Sequence, residues 1–199
     1  GECKMSSSGK KLKISFNSPV ILCFAILCLL TLILNMLTNG LTNRVFFSVY
    51  RSPMTDPLTY VRFVGHIFGH ADWEHFIGNI TLLLVVGPML EKYGSLSIFI
   101  VILITAVVTG VVNFVFFPNV QLLGASGVVF AFILLSSMTS IREGSIPLTF
   151  ILVAVIYIGG QIYDGIFVND NVSNLTHIIG GLVGSCFGFV MSKNKVRKY

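Results

Sequence analysis

The stretch LLGASGVVF, residues 122–130, places a serine between small residues inside an apolar run. Gly124-Ala125-Ser126-Gly127 leaves the hydroxyl of Ser126 with almost no neighbouring side-chain atoms. In membrane helices, small residues allow two backbones to approach closely. The stretch therefore predicts a close helix contact, a hydroxyl that another group must reach, or both.

The composition is that of a membrane protein. The chain has 199 residues, of which 54% are hydrophobic and 11% are charged, and its mean hydropathy is +0.88. Soluble domains usually contain about 25% charged residues, so we expect a single domain in a lipid bilayer. The formal net charge of +5 comes from basic residues that lie mostly at the two ends of the chain. That distribution indicates membrane topology and argues against nucleic acid as a partner.

The cysteines follow no metal-binding or redox spacing. Cys23, Cys28 and Cys186 lie in apolar runs, and we expect them to be buried thiols. No cofactor is expected from the sequence.

Six apolar segments approach the length of about 20 residues that a transmembrane helix needs. They are residues 19–37, 75–90, 96–117, 122–138, 146–163 and 175–191. Lysines precede the first segment and basic residues follow the last, and basic ends mark the cytoplasmic side of a membrane. We therefore predict an all-α membrane protein of six transmembrane helices with both termini in the cytoplasm. In this prediction residues 1–18 and 192–199 are cytoplasmic tails, residues 19–191 form the helical domain, and Glu91-Lys92 lies in an inner loop.

The first outer connection, residues 39–74, is too long for a simple loop and not polar enough for disorder. Aromatic side chains are enriched where a membrane meets water, so we expect this connection to lie at the membrane interface. Its aromatic residues are Phe46, Phe47, Tyr50, Tyr60, Phe63, Phe68 and Trp73.

Three histidines and an asparagine surround the start of the second span. His75 and Asn79 are four residues apart and therefore share one helix face. Three histidines suggest zinc, but there is no His-Glu-x-x-His motif and no acidic ligand on the same face. We expect no metal site, and we expect His66 and His70 to make hydrogen bonds between helices.

His177 precedes a stripe of glycines in the sixth span. It comes three residues before Gly180 and seven before Gly184, and this spacing places the three residues on one helix face. A helix with such a stripe packs closely on a partner that also has small residues, and the fourth span supplies them around Gly127. We expect this contact to bring the Ser126 hydroxyl within reach of His177.

Ser126 and His177 together predict nucleophilic catalysis. A serine hydroxyl is a weak nucleophile until a base removes its proton, and imidazole serves as that base near neutral pH. No acidic residue lies within the sixth span, so we predict a dyad; Asp164 and Asp170 lie in a loop and are poorer candidates for a third member. The candidate donors to the oxyanion of a tetrahedral intermediate are His75, Asn79 and the backbone N–H of Ser126.

On these residues the chain resembles the rhomboid family of intramembrane serine proteases, over residues 19–191. Gly124-Ala125-Ser126-Gly127 matches the family's Gly-x-Ser-Gly on the fourth helix, and His177, Gly180 and Gly184 match its His-x-x-Gly-x-x-x-Gly on the sixth. The polar residues that match before and within the second helix are His66, His70, His75 and Asn79. The three motifs appear in order on the predicted spans.

The resemblance implies a fold and an activity. Ser126 would be the nucleophile, His177 the base, and His75 and Asn79 would help to bind the oxyanion. Single-span membrane proteins would be the substrates, and no cofactor would take part. The small size suits a bacterial inner membrane.

Two positions depart from the family's pattern. A tyrosine often follows the serine by four residues and stacks on the histidine, and here the residue is Phe130, which has no hydroxyl. The first loop often carries Trp-Arg, and here the pair is Val61-Arg62. The departures concern the orientation of His177 and the anchoring of the first loop.

Two other functions compete with a protease. A catalytically inactive rhomboid-like protein would bind client helices without cutting them, but such relatives usually lack the serine or the histidine, and this chain has both. A transporter or channel would be expected to show a halved internal repeat and charged residues deep within its spans. The sequence shows neither feature.

Overall fold

The computed structural model describes residues 16–141, 148, 151, 152, 155, 156, 159, 178–184 and 186. Within these residues the chain is helical, apart from its connections and an antiparallel pairing of Val49 with Leu122. The helices are α1 (Pro19–Leu37), α2 (Leu41–Phe46), α3 (Pro57–Gly65), α4 (Trp73–Glu91), α5 (Ser95–Phe116) and α6 (Ser126–Ile141), with a 3-10 turn at His66–Phe68. Residues 178–184 are also helical, and we call them the C-terminal helical segment.

Among the described helices, α1, α4 and α5 are long and apolar enough to cross a membrane. They correspond to the first three predicted spans, and α1 has the predicted bounds. The predicted fifth span, residues 146–163, lies mostly outside the described residues. Most of the sixth span and nearly all of both tails lie outside them as well. The count of six spans and the cytoplasmic position of the termini therefore stay predictions.

The fourth span begins later than the sequence predicts. We expected a helix from residue 122, and this boundary is wrong, because α6 begins at Ser126. Leu122 instead exchanges two backbone hydrogen bonds with Val49, of 2.9 and 3.0 Å. Gly124 has a φ of 123°, which an α-helix does not accommodate. Residues 122–125 are therefore an irregular and largely buried segment, which apolar character alone does not distinguish from a helix.

The core of the described residues surrounds α6. The side chains of residues 128–133 are all buried, and they point in every direction around the helix because a turn has 3.6 residues. A helix whose side chains are buried on all sides is surrounded by other elements of the protein. Both α4 and α5 pack against α6, and α1 packs on α4.

The first loop folds into α2, α3 and the 3-10 turn, and Arg62 holds it together. The Arg62 guanidinium donates to the carbonyl of Val45 at 2.8 Å and pairs with Asp56 at 3.2 Å. It also lies 4.8 Å from the centre of the Tyr50 ring, where a cation is attracted to the aromatic face. Arg62 is buried and Val61 is exposed, so the departure at Val61 leaves the arginine anchor in place.

Glu91, which we assigned to an inner loop, is the last residue of α4 and is buried. Its carboxylate accepts hydrogen bonds from the backbone N–H groups of Val20 and Ile21, at 2.9 and 3.2 Å. It also accepts one from the hydroxyl of Ser95 at 2.7 Å. The loop assignment of Glu91 is therefore wrong, because this residue is part of α4. Its carboxylate caps the start of α1, where Ser18 makes no side-chain cap.

The prediction of buried thiols is confirmed for Cys28 and wrong for Cys23 and Cys186, which are exposed. Cys23 lies on an outward face of α1. Lipid tails are as apolar as a protein core, so a membrane helix keeps apolar residues on both its inner and its outer faces. An apolar run in such a helix therefore does not imply burial within the protein.

Candidate active site

Ser126 is the first residue of α6 and is half-buried. The segment before it is held by backbone hydrogen bonds to the first loop. Leu122 pairs with Val49, and the N–H of Gly124 donates to the carbonyl of His66 at 2.9 Å. The first backbone hydrogen bond of α6 runs from the N–H of Val129 to the carbonyl of residue 125, at 2.9 Å. The N–H groups of Ser126 and the next two residues therefore belong to the helix end that has no intrahelical acceptor.

His75 and Asn79 lie beside the glycine that precedes this helix end. Asp72 caps α4, and its carboxylate accepts the N–H of His75 at 2.8 Å. A Cβ atom on Gly124 would lie 2.7 Å from Nε2 of His75 and 3.9 Å from Nδ2 of Asn79. The missing side chain of Gly124 thus lets His75 lie against the backbone two residues before Ser126. The amide of Asn79 donates to the carbonyl of His75 at 3.1 Å, so one further N–H remains on Nδ2.

The C-terminal helical segment packs on α6 with its backbone almost in contact. A Cβ atom on Gly180 would meet the carbonyl oxygen of Gly127, and one on Gly184 would lie 2.7 Å from the Cα of Ala131. Real Cβ atoms essentially never come closer than 3.0 Å to such neighbours. The two glycines of the predicted stripe therefore face the small residues of α6.

His177 lies outside the described residues, and so do Asp164 and Asp170. In sequence, His177 comes three residues before Gly180, and Ser126 comes one residue before Gly127. The contact of Gly180 with Gly127 therefore lies close in sequence to both members of the predicted dyad.

Phe130 is buried on the same contact between helices. It is 3% exposed, and a Cβ atom on Gly181 would lie 2.8 Å from its Cδ1. The ring thus occupies the space that the missing side chain of Gly181 leaves open. Packing of this kind uses the ring and needs no hydroxyl.

The ring nitrogens of His66 are occupied by hydrogen bonds. Nδ1 lies 3.2 Å from the carbonyl of Arg62, and Nε2 lies 3.1 Å from the hydroxyl of Thr109. Because a carbonyl only accepts, Nδ1 carries the proton of the neutral ring and donates to Arg62. Burial lowers the pKa of His66 to about 4, because the charged ring loses its hydration.

His70 is fully buried beside His75, and their ring centres are 5.0 Å apart. Its Nδ1 lies 3.1 Å from the carbonyl of Phe68, so Nδ1 carries the proton. Burial, and next the charge on His75, lower the pKa of His70 to about 4. Among the described residues, no three His, Cys, Asp or Glu side chains come together as a metal ion would require.

Sequence reasoning missed a row of polar residues on α5. Thr105, Thr109 and Asn113 are all buried and follow one another at intervals of four residues. This interval places them on one helix face, and polar residues inside an apolar helix usually have an interior partner. The spacing alone could therefore have revealed a polar face on α5.

Comparison with known proteins shows similarity to rhomboid proteins. The family model of the rhomboid domain matches residues 57–194. Rhomboid-related protein 1 of Caenorhabditis elegans is 34% identical over 145 residues, which cover 68% of this chain and 41% of that protein. Rhomboid-related protein 2 of Mus musculus is 29% identical over 160 residues, with 69% and 53% covered. The rhomboid protease GlpG of Haemophilus influenzae is 26% identical over 137 residues, with 66% and 70% covered.

The chain spans about half the length of the two rhomboid-related proteins that it matches. The match to the rhomboid domain, in contrast, includes α3 to α6 and the C-terminal helical segment. Because that match covers more than half of the chain, the protein belongs to the rhomboid family of integral membrane proteins.

Proposed function

We propose that the protein is a serine endopeptidase that cuts single-span membrane proteins in or near their transmembrane segments. Ser126 is the nucleophile and His177 is the general base. The observation that carries the proposal is the approach of Gly180 to Gly127, because it brings the segment that follows His177 in sequence onto the helix that begins at Ser126. The similarity to the protease GlpG of Haemophilus influenzae supports the same reading.

The reaction follows from the chemistry of the two side chains. His177 takes the hydroxyl proton as Ser126 Oγ attacks the carbonyl carbon of the substrate, and an oxyanion forms. When the C–N bond breaks, the imidazolium returns the proton to the leaving amine, and an acyl-enzyme remains. Water then attacks the acyl-enzyme, His177 takes a proton from the water, and Ser126 is released with its hydroxyl restored.

The oxyanion is stabilised by the start of α6 and by α4. The backbone N–H of Ser126 belongs to a helix N-terminus, which carries partial positive charge. His75 and Asn79 supply side-chain N–H groups from beside Gly124. Removing one such donor typically costs about 10²–10³ in rate. The reaction takes place in a lipid bilayer. The relatives come from animals, a plant and a bacterium, so they do not indicate which membrane.

A fluorophosphonate probe tests the proposal, because it reacts only with an activated serine. We expect the purified protein in detergent to be labelled on Ser126, as identified by mass spectrometry of the modified peptide. Ser126→Ala should abolish both labelling and cleavage of single-span proteins, and His177→Ala should reduce both to background. Ser137→Ala is the matched control, because Ser137 lies on the same helix and is buried, with its hydroxyl donating to a carbonyl of its own helix at 2.7 Å.

Two results would overturn the proposal. One is a folded wild-type protein that is not labelled and does not cut, which would leave an inactive rhomboid-like protein that binds client helices. The other is labelling or cleavage at the wild-type rate by Ser126→Ala, which would remove Ser126 as the nucleophile.

A further inference from the structure

Asn113 is a buried asparagine near the C-terminal end of α5, with 2% of its surface exposed. Its side-chain nitrogen donates to the carbonyl of Val49 at 3.1 Å and to the carbonyl of Val120 at 3.2 Å. Nδ2 carries two hydrogens, so each carbonyl receives one of them. One side chain of α5 thus binds both the first loop and the segment that leads into α6.

The two carbonyls belong to chain segments that are also paired with each other. Val49 and Leu122 exchange backbone hydrogen bonds of 2.9 and 3.0 Å. The carbonyl of Val49 therefore accepts from both Leu122 and Asn113. The amide of Asn113 therefore joins the two paired segments to the C-terminal end of α5.

Arg51, two residues after Val49 in the first loop, binds the same end of α5. The guanidinium of Arg51 donates to the carbonyls of Phe114 and Val115, each at 2.8 Å. It also lies 5.2 Å from the centre of the Phe114 ring. The last carbonyls of a helix have no intrahelical partner and carry partial negative charge, so a cation stabilises them. The first loop and α5 are therefore joined in both directions.

The geometry explains why the side chain is an amide. Both neighbours of Nδ2 are carbonyl oxygens, which only accept hydrogen bonds. An aspartate would place an oxygen against two oxygens, and a leucine would leave both carbonyls without this donor. A threonine has a single hydroxyl hydrogen, so it could donate to one of the two carbonyls at most.

The anchored segment ends at the candidate nucleophile. Val120 is bound by Asn113, Leu122 by the first loop, and Gly124 by the carbonyl of His66. Two residues later the chain enters α6 at Ser126. We infer that Asn113 is a positioning residue, which holds the segment before α6 in the register that presents Ser126 to its substrate. The inference rests on the proposed function.

Asn113→Thr tests this, with Asn35→Thr as the matched control. Asn35 is also buried, on α1, and its side-chain oxygen accepts the N–H of Asn43 in the first loop at 3.1 Å. Both variants give a threonine four residues after a threonine, Thr109 or Thr31, where a hydroxyl can bond its own helix. Each variant therefore loses one link to the first loop, and only Asn113→Thr loses the link to the segment before Ser126.

We expect Asn113→Thr to react at least tenfold more slowly than Asn35→Thr with the fluorophosphonate probe, when the two have lost similar thermal stability. A displacement of 1 Å at a catalytic group can cost about 10²-fold in rate. Asn113→Gln keeps the amide and should recover part of the labelling rate. The backbone N–H groups of Leu122 and Gly124 should exchange with deuterium faster in Asn113→Thr, and at the wild-type rate in Asn35→Thr.

The two readouts separate this inference from the proposed function. If the wild type is not labelled, the proposed function fails, and hydrogen exchange still reports whether Asn113 holds the segment. Unchanged exchange at Leu122 and Gly124 in Asn113→Thr would overturn the inference. So would equal labelling rates in the two threonine variants at equal stability, because Asn113 would then act through overall stability alone.

Discussion

Gly124 satisfies two requirements that no other residue type meets at low cost. Its φ of 123° lies in the left-handed region, where side chains with a Cβ are strained. A Cβ atom there would also lie 2.7 Å from Nε2 of His75. The glycine therefore turns the chain into α6 and at the same time admits His75 to the backbone before Ser126. Gly124 thus contacts both the first loop, through its hydrogen bond to His66, and the candidate site, through His75.

The buried histidines predict how stability depends on pH. The pKa of His66 and that of His70 are each about 4 in the folded protein, against about 6.5 in an unfolded chain. Between these values the unfolded state binds more protons, so the free energy of unfolding falls as the pH falls from 6.5 towards 4. The stabilisation by each neutral histidine is fully present above about pH 6.5. Lowering the pH from 7 to 5 should reduce the free energy of unfolding by about 2 kcal/mol for each histidine.

His66→Gln should reduce this pH dependence, because glutamine still hydrogen-bonds with Thr109 but does not titrate. Thermal unfolding in detergent at pH 7 and pH 5 measures the effect. We expect the variant to lose less stability than the wild type over this range, and His70→Gln to behave in the same way. A wild-type dependence on pH in both variants would show that these histidines are already neutral or already charged in both states.

At the scale of the element, the contact between α6 and the C-terminal helical segment depends on the absence of side chains. Gly180 and Gly184 are one helical turn apart and face the backbone of α6 at Gly127 and Ala131. Helices in lipid associate by close packing, because lipid tails are as apolar as the side chains and no hydrophobic effect drives the helices together. The contact is therefore sensitive to the smallest additional side chain.

Gly184→Val tests this contact, since its Cβ would meet backbone atoms of Ala131 that cannot move aside cheaply. Overpacking typically costs about 1–3 kcal/mol, and a displacement of 1 Å at the site can cost about 10²-fold in rate. We expect lower thermal stability together with reduced probe labelling of Ser126. Val183→Leu is the control, because Val183 is only partly buried. Full stability and labelling in Gly184→Val would contradict the close contact of the two helices.

At the scale of the whole molecule, hydrogen bonds from buried side chains join the described helices at two opposite ends. At one end, α4 begins, α5 ends and α6 begins, and Asn113 and the first loop hold the segment before Ser126. At the other end, α1 begins, α4 ends and α5 begins, and the carboxylate of Glu91 joins all three. The candidate site and the buried carboxylate are thus separated by the length of α4.

Glu91→Ala should destabilise the described helices without acting on the site directly. It leaves the N–H groups of Val20 and Ile21 without the carboxylate, and each unsatisfied buried group costs about 1–3 kcal/mol. We expect thermal unfolding in detergent to show a loss of about 2 kcal/mol or more. Glu74→Ala is the control, because Glu74 is exposed on the same helix and should change stability by less than about 0.5 kcal/mol. Equal stability of the two variants would mean that the Glu91 cap contributes nothing.

The sequence by itself determined the features that depend on short stretches of chain. Hydropathy located α1, α4 and α5, because a helix in lipid must be apolar along its whole length. Helical periodicity placed His75 with Asn79 and Gly180 with Gly184, because residues three or four apart share a face. Motif order indicated the rhomboid family, which the domain match confirms.

The tertiary structure decided the features that depend on residues far apart in the chain. The start of α6 at Ser126 depends on the pairing of Leu122 with Val49, which lie 73 positions apart. The burial of Glu91 depends on the N–H groups of α1, about 70 positions away. The role of Asn113 depends on a carbonyl 64 positions away. Hydrogen bonds of this kind form only after the helices have packed, so neither local apolarity nor local spacing encodes them.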